Sequence, residues 1–432
     1  MRLIRRSVRL RLALAVGALV ALQFAPRPSA QGQVIITRQY NVGPGAGIPW
    51  AGIIDSGNAI DWRGAVGVVG GVPARTTICA TIAASACGAG DCAPVIQNAL
   101  NACASEQTVL LGAGQFLVNS DVSIPSNVTL RGAGPNSTIL NCNGTTYGCG
   151  MLGSGGSHPT FTNATNITQG ATAGSTSIVV ASASNISVGS DLLINETNDT
   201  SYVTMQGGEG PCNWCDDAQT ASGSADTSFR DRRQIVEVTS MSGAGNTTIG
   251  FAPALYSAYV NSPQAVPYTP TKRAGIENLQ VYANNTGYNG LNGYAAMVTM
   301  TMCSNCWQIK TVVNYADGDW VHLHWCYRCE VRDNYFTNAY LHAAGSNDSD
   351  VFIASGTTAS LIQNNIIERG HVGIMFDSGP AGNVVAYNYT EGEFDSTNAP
   401  INNFVIGCIS MHGTHPQFNL LEGNVCDQLY PD

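Results

Sequence analysis

A short pattern that recurs through the C-terminal third restricts the fold of this chain more than any other sequence feature. Apolar positions flank a short polar run in six segments, whose starting positions are separated by 33, 22, 31, 23 and 36 residues. The segments are IENLQV (276–281), IKTVVN (309–314), VRDNYF (331–336), IQNNII (362–367), VAYNYT (385–390) and LEGNVC (421–426). A period of about 22 residues, with longer steps explained by loops at one corner, is too short for helical pairs or propeller blades. It predicts a solenoid of stacked parallel strands.

The last four repeats carry asparagine at their fourth place, as Asn334, Asn365, Asn388 and Asn424. In a solenoid these amides would lie above one another and could hydrogen-bond from coil to coil. We therefore interpret the asparagines as structural rather than catalytic.

Composition supports an all-β chain. Charged residues make up 11% of the 432 residues, and glycine occurs 48 times, so the side chains that usually cover surface helices are scarce. The segment DCAPVIQNALNAC (91–103) is the one convincing amphipathic helix, and β-branched runs separated by turn residues follow it. We predict an N-terminal segment with a capping helix over 31–107 and a parallel β-helix over 108–432. A Gly/Ser/Thr-rich insert is expected at about 155–270.

The N-terminal 30 residues have the pattern of a signal peptide. Arginines precede the apolar run LALAVGALVALQFA (12–25), which is too short to span a membrane comfortably. Without residues 1–30 the chain keeps 13 basic and 29 acidic residues, which is unsuited to binding nucleic acid. We predict a secreted protein, extracellular or periplasmic and monomeric, with no membrane span. Because the chain stops directly after a repeat strand, we expect further C-terminal coils and a cap.

Fourteen cysteines in an exported chain favour disulfides. Cys303 and Cys326 are 23 residues apart, as are Cys306 and Cys329, close to the local repeat step. We therefore predict that Cys303 bonds Cys326 and that Cys306 bonds Cys329, across adjacent coils. Disulfides within each C-x-x-C motif, and a zinc ion held by all four thiolates, are the alternatives.

These features together resemble the pectate-lyase-like superfamily of secreted right-handed parallel β-helices. The resemblance rests on the repeat, the export signal, the capping helix, AIDWRGAVG (59–67) and SNVTLRGAG (126–134), and covers about residues 55–432. It implies an all-β, right-handed parallel β-helix that binds a sugar polymer along one sheet. NYADGDWVHLH (314–324) and RGHVG (369–373) are similar to the Asn-x-Asp and Gly-His-Gly motifs of polygalacturonases, although no Arg-x-Lys motif occurs.

Counting from the strand starts predicts an acidic cluster formed by Asp319, Asp350 and Asp377. Stacked carboxylates about 4.8 Å apart would raise one pKa, as acid–base catalysis requires, or would bind calcium. Calcium is therefore a possible cofactor, and no metal ligands are assigned. The non-functional alternative is that these residues are solvated turn residues at strand ends.

Basic and aromatic residues complete the candidate site. Arg369 and His371 are the predicted proton-transfer groups beside the acidic cluster. Strand alternation puts Trp320, His322 and His324 on one face, where Trp320 would stack on sugar and Trp325 would lie in the core. His412 and His415 could be a metal pair or a general acid, with ordinary turn histidines as the favoured interpretation.

The sequence thus predicts a polysaccharide-active protein, either a lyase or a glycoside hydrolase on an acidic plant or microbial polymer. The alternative is a non-catalytic β-solenoid that binds carbohydrate or serves as a surface or adhesive structure. The two differ in whether the predicted acidic residues converge in one cleft beside exposed aromatic rings.

Overall fold

In a computed structural model, the chain forms successive coils whose strands make up three parallel sheets. The structure describes residues 60–143, 149–153, 158–199, 230–243, 247–283, 296–316, 318–340, 342, 351–394 and 407–431. The signal-peptide prediction for residues 1–30 lies outside these residues. The described chain has one α-helix, α1 (Ala93–Ala102), and short 3-10 helices at Ala84–Cys87 and Phe161–Asn163.

Each coil contributes one short strand to each sheet in turn. Sheet 1 consists of β1 (Ile78–Ile82), β2 (Gln107–Leu111), β5 (Val128–Gly132), β15 (Gly275–Glu277), β19 (Trp307–Ile309), β22 (Glu330–Arg332), β25 (Leu361–Gln363), β28 (Val384–Ala386) and β31 (Leu420–Glu422). Sheet 2 consists of β3 (Gly114–Val118), β6 (Thr138–Cys142), β16 (Gln280–Ala283), β20 (Val312–Ala316), β23 (Tyr335–Ala339), β26 (Ile366–Glu368) and β29 (Tyr389–Glu391). Sheet 3 consists of β4 (Ser123–Ile124), β7 (Gly150–Gly153), β17 (Ala296–Thr301), β21 (Asp319–His324), β24 (Val351–Ala354), β27 (Ile374–Asp377), β30 (Ile409–Met411) and β32 (Leu429–Pro431).

The predicted repeat corresponds to the strands of sheet 1, with one correction. Ile276, Val331, Ile362 and Val385 share a row, as predicted, but the residue of the second repeat in that row is Gln308 rather than Ile309. Repeat matching was wrong by one residue here because Gln308, a buried polar residue, occupies a place that the other repeats fill with an apolar side chain.

The asparagine ladder forms as predicted. The Nδ2 atoms of Asn334, Asn365 and Asn388 each donate to the Oδ1 atom of the next asparagine, at 3.0, 2.9 and 3.0 Å, ending at Asn424. Each Oδ1 also accepts a backbone N–H, so the buried corner between sheets 1 and 2 is hydrogen-bonded from coil to coil.

The helix α1 packs against β1, β2 and β4 of the first coils. Its apolar residues Ala93, Ile96 and Leu100 are buried in the same core as the coil interior, which the spacing of these residues predicts. Its role as the N-terminal cap stays a prediction, as do the proposed domain boundaries.

A separate antiparallel barrel is inserted into the β-helix between β7 and β14 (Thr271–Lys272). Strand β14 pairs with β18 (Cys303–Ser304) at a corner of the β-helix. The barrel strands are β8 (Thr165–Gln169), β9 (Ser177–Val180), β10 (Asp191–Glu196), β11 (Arg232–Ser242), β12 (Thr247–Ala252) and β13 (Gln264–Tyr268). It has its own apolar core, which includes Ile194, Val236 and Phe251.

Because the barrel is inserted at the corner from sheet 3 to sheet 1, it packs on that corner of the later coils. One buried cluster joins the two parts: it contains Leu193, Ile235 and Tyr268 of the barrel and Trp325 and Tyr327 of the β-helix. No helix among the described residues is long and apolar enough to cross a membrane.

Candidate functional site

The outward face of sheet 3 carries the histidines that the sequence singles out. Val321 and Leu323 of β21 point into the core, so strand alternation turns His322 and His324 outward. Register extends this face over neighbouring coils in two rows. The first row is Thr299, His322, Phe352, Met375 and Ser410, and the second is Thr301, His324, Ala354 and Asp377.

His322 is the buried centre of this face, with 8% of its surface exposed. Its Nδ1 atom lies 3.5 Å from Oδ2 of Asp319, and its ring lies 3.8 Å from that of His324 and 4.6 Å from that of Phe352. Burial lowers the pKa of His322 well below its usual value of 6.5, and the neighbouring His324 lowers this pKa further. The ring is therefore neutral at neutral pH and can accept or relay a proton.

In the second row and directly after it, three titratable side chains lie near Ala354. His324 and Asp377 lie on either side of Ala354, so their Cα atoms are about 10 Å apart across two strand spacings. Nδ1 of His412, which follows β30, lies 3.9 Å from Oδ1 of Asp377. His324 and His412 are half-buried, whereas the Asp377 side chain is 9% exposed. The result is a histidine and a histidine–aspartate pair that face each other over an alanine.

The barrel forms a wall beside this row. Asp231, immediately before β11, is fully buried and accepts hydrogen bonds from Asn198 at 2.7 Å and from Thr414 at 3.4 Å. Its backbone passes so close to Gly379 that a Cβ atom there would overlap the Asp231 carbonyl oxygen, and Gly379 also has a φ of 82°. Glycine at this position lets the wall approach the row that contains Asp377.

The titratable groups in and beside this wall are either paired with an opposite charge or neutral. Arg233 and Asp231 form a fully buried ion pair at 3.3 Å, and the Arg233 guanidinium lies 4.7 Å from the centre of the Trp325 ring. Burial lowers the pKa of His415 to about 4, and Arg232 adds to that effect. His415 is therefore neutral at neutral pH.

Comparison with solved structures identifies the architecture. The chain matches the tailspike of Pseudomonas phage phi297 with a TM-score of 0.52 and 11% sequence identity, over 78% of this chain and 54% of the tailspike. The tailspike of Pseudomonas phage LKA1 matches at a TM-score of 0.42 and 15% identity, over 78% of this chain and 56% of that one. The polygalacturonase of Erwinia carotovora matches at a TM-score of 0.35 and 13% sequence identity, over 74% of this chain and 71% of the polygalacturonase. The chain thus spans about half the length of the tailspikes.

The fold that the chain shares with the phi297 tailspike is a parallel β-helix. No protein-family model matches the sequence, and no curated protein matches it either. At this level of identity the comparison establishes the β-helix itself, and the chemistry of the site depends on the residues described above.

Asp319 and Asp377, two of the three residues of the predicted acidic cluster, are not brought together in this β-helix. Asp377 shares a row with His324, whereas Asp319 shares one with Ala296, five residues earlier in β21 and therefore about 16 Å along the strand. The prediction was wrong for this pair because Asp319 lies twelve residues before Val331 of sheet 1, whereas Asp377 lies only eight before Val385, so the two occupy different positions along their strands. Asp350 lies outside the described residues.

Arg369 and His371 are not brought beside Asp377. Arg369 is exposed at the end of β26 in sheet 2, where its Nη1 atom donates to Oδ1 of Asn338 at 3.3 Å. His371 is buried in the loop that leads from sheet 2 to sheet 3. The corner between two sheets therefore separates Arg369 from the histidines of sheet 3.

The prediction that Trp320 is an exposed sugar platform was wrong. Trp320 is fully buried in the coil interior, its ring lies 5.9 Å from that of Phe336, and its Nε1 atom donates to the carbonyl of Asn338. Strand alternation fails at this position, since Trp320 and its neighbour Val321 in β21 are both buried in the coil interior. Trp325 is buried as predicted, but against the barrel rather than inside the coils.

Glu393 is a candidate functional residue that sequence reasoning missed. It follows β29, has 4% of its surface exposed, and its Oε1 atom has no hydrogen-bond partner among the described residues. Burial raises the pKa of Glu393 to about 7, and the nearby Asp427 raises it further. No repeat or motif marks this glutamate, because its burial results from contacts with Gly373 and other residues on a neighbouring coil.

The predicted cross-coil disulfides were wrong, although the predicted stacking was right. Cys303 and Cys326 share a row, as do Cys306 and Cys329, but Cys303 bonds Cys306 and leaves the other two as buried thiols. Residues stacked in parallel strands have parallel Cβ bonds about 4.8 Å apart, which exceeds the Cβ separation of about 3.8 Å in a disulfide. The C-x-x-C turn instead makes the side chains converge, with Cα atoms 6.0 Å apart.

Metal-binding groups are confined, in the described part of the chain, to this cysteine corner. The sulfur atoms of Cys303, Cys306 and Cys329 lie within 4.8 Å of one another. Two of them share a disulfide and so offer no thiolate to zinc. Asp319 and Asp377 do not converge as calcium ligands.

Proposed function

We propose that this β-helix is a polysaccharide-active enzyme whose proton-transfer groups are His324 and the Asp377–His412 pair on the outward face of sheet 3. The observation that carries the proposal is the second row, in which these groups face each other across Ala354. Ala354, itself fully buried, separates the donor and the acceptor of protons by two strand spacings.

The chemistry follows from the pairing. Asp377, with Oδ1 3.9 Å from Nδ1 of His412, orients the imidazole ring, and His412 serves as the base or acid. His324 supplies the opposite proton transfer from the other side of the sugar. His322, neutral beside Asp319, holds the His324 ring in place through the contact of the two rings.

A polymer is the substrate best suited to this surface. The two rows continue over the coils from β17 to β30, so an extended chain lying across the strands would meet side chains repeated about every 4.8 Å. Phe352, which is half-buried, provides an aromatic ring along that path, beside the largely buried hydroxyl groups of Thr299, Thr301 and Ser410. A small isolated substrate would leave most of these groups unused.

A panel of acidic and neutral polysaccharides tests the proposal. Each is incubated with the full chain, with calcium or with a chelator, and two products are followed. Absorbance of unsaturated uronides reports β-elimination, and new reducing ends without absorbance report hydrolysis. We expect cleavage of at least one polymer, and dependence on calcium would support a bound cation at the substrate carboxylate.

Variants assign that activity to sheet 3. His324→Gln should abolish the turnover, whereas Asp333→Asn, at a half-buried carboxylate on the corner between sheets 1 and 2, should leave it intact. Cleavage by the His324→Gln variant at the rate of the unmodified chain would contradict the assignment. Binding of a polymer without cleavage would contradict the enzymatic proposal and favour a carbohydrate-binding protein.

Exposed tyrosines favour that second candidate function. Tyr315, Tyr387 and Tyr389 are 39%, 54% and 40% exposed on or beside sheet 2, away from the histidines. The hydroxyl groups of Tyr387 and Tyr389 donate to Glu422 and Glu391, which fixes the rings and leaves carboxylate oxygens for sugar hydroxyls. Loss of polymer binding in a Tyr387→Ala/Tyr389→Ala variant, with cleavage of short substrates unchanged, would assign binding to this face.

Secretion is part of the same proposal. The described residues contain five disulfides, which form and persist in oxidising compartments. Expression with residues 1–30 should place the protein outside the cytoplasm, and N-terminal sequencing of that product would locate the cleavage site.

A further inference from the structure

The corner from sheet 3 to sheet 1 repeats one four-residue turn on successive coils. Parallel bridges join the second residue of each turn, from Ser304 through Tyr327, Thr358 and Ala381 to Gln417. The third residue has a positive φ in every case, including 57° at Asn305 and 55° at Arg328. The turns beginning at Cys303 and Cys326 therefore have the same backbone conformation.

The first and fourth positions of these turns face each other. They are Cys303 and Cys306 in one coil, Cys326 and Cys329 in the next, and then Thr357 and Ser360. The first pair is a disulfide with Cα atoms 6.0 Å apart, inside the range of about 4.4–6.8 Å that a disulfide tolerates. The same backbone conformation gives the second pair a compatible separation, and, in addition to burial, the Cys329 thiol lies close enough to raise the pKa of the Cys326 thiol.

We propose that Cys326 and Cys329 form a second C-x-x-C disulfide in the exported protein, stacked directly on the Cys303–Cys306 disulfide. The two S–H bonds break and one S–S bond forms. Two protons and two electrons leave the pair and reduce the disulfide of an oxidant, either a thiol–disulfide oxidoreductase or glutathione disulfide, to thiols.

Burial fixes when this oxidation occurs. Both cysteines are fully buried in the finished fold, and burial raises the pKa of the Cys326 thiol well above its usual value. Because the thiolate is the reactive form, neither an oxidant nor a reductant acts readily on the folded corner. The disulfide therefore forms while the coil is still open and is protected afterwards.

The position of the pair gives the disulfide a structural consequence. Cys326 follows Trp325, which packs against Arg233 of the barrel, and it lies two residues after His324 of the proposed site. A covalent bond at this turn restrains the end of β21 that carries both contacts.

Tryptic mapping without reductant tests the proposal on the full chain. The protein is exported to an oxidising compartment, unfolded in the presence of an alkylating reagent and digested. Trypsin cuts after Lys310, Arg328 and Arg332, so Cys326 and Cys329 fall in different peptides, 311–328 and 329–332. We expect these two peptides to be joined and to separate after reduction, whereas Cys303 and Cys306 stay within peptide 274–310.

Three results would overturn the proposal. They are alkylation of both Cys326 and Cys329, linkage of peptide 274–310 to either of the other peptides, and zinc bound at about one equivalent per chain. As a control, a Cys326→Thr/Cys329→Ser variant copies the Thr357 and Ser360 turn and should lose the joined pair while keeping the Cys303–Cys306 disulfide. The map of the unmodified chain decides the question even if this variant does not fold.

Discussion

Two columns of polar side chains run along this β-helix, one at the corner between sheets 1 and 2 and one on the outward face of sheet 3. The first is a single residue type, in which Asn334, Asn365 and Asn388 each donate to the amide oxygen of the next asparagine. The second changes from coil to coil, from His324 to Ala354 to Asp377. Both are equally regular in backbone geometry.

The difference between the columns separates structure from chemistry. A uniform amide column satisfies its own donors and acceptors, so it stabilises the coils and leaves no group available to a ligand. In the mixed column, the buried Ala354 separates titratable side chains of different kinds, His324 and Asp377, which lie too far apart to hydrogen-bond each other. The repeat therefore supplies a scaffold, and departures from uniformity mark the site.

Replacing the carboxylate of the mixed column should have the largest effect. In the Asp377→Asn variant, His412 loses its carboxylate partner, and we expect turnover to fall by about 10²–10⁴-fold. The melting temperature should change little, because the amide has the same size. Asp333→Asn, at the corner between sheets 1 and 2, is the matched control and should keep full turnover. Kinetics on the polymer found in the panel measure both, and equal rates for the two variants would remove Asp377 from the mechanism.

Interrupting the uniform column should instead affect stability. Asn365→Ala leaves buried partners on Asn334, Asn388 and Val331 without their hydrogen bonds, so we expect the free energy of unfolding to fall by about 3 kcal/mol. Asn424→Ala, at the less buried last rung, should lower it by about 1 kcal/mol. Denaturant titration compares the two. If both variants lose the same amount, the amides do not stabilise one another along the column.

Substitution of Glu393 tests the protonation state of a buried carboxyl that belongs to neither column. Its pKa is about 7 in the folded protein against 4.5 for the free side chain, so the folded state holds the proton more tightly. Stability from this group is complete below pH 4.5 and is lost as the pH rises through 7. Glu393→Gln should therefore raise the free energy of unfolding at pH 8 by about 2 kcal/mol and change it little at pH 4. An equal gain at both pH values would show that the carboxyl does not titrate in this way.

The smallest effect should come from His322. Because its folded pKa is far below 6.5, the unfolded chain binds the proton more readily, and stability is lost as the pH falls below 6.5. His322→Phe removes the buried Nε2 atom, which has no hydrogen-bond partner among the described residues, and should raise the free energy of unfolding at pH 7 by about 1 kcal/mol. The gain should increase at pH 5. Thermal melts at the two pH values measure it, and a larger gain at pH 7 than at pH 5 would contradict the assigned titration.

Prediction from sequence succeeded where a residue contacts its equivalents in neighbouring coils. The asparagine ladder, the outward orientation of His322 and His324, and the stacking of Cys303 on Cys326 all follow from the repeat. It failed where the position within a single strand decided the outcome. Asp319 and Asp377 occupy different positions along their strands, and Trp320 is buried although alternation in β21 predicts it outside. The pairing of Asp377 with His412 was not foreseen.

The sequence by itself determined the parallel β-helix, because apolar positions that recur at one interval can be buried together only by stacking identical strands. It also determined which side chains belong to the amide column, since that column repeats with the coils. The tertiary structure alone decided the candidate site. His324, Asp377 and His412 come from three coils and are aligned by backbone register, and the barrel wall beside them is inserted more than 50 residues before β21. No local pattern encodes such contacts, because their geometry depends on loops and packing between segments that are distant in the chain.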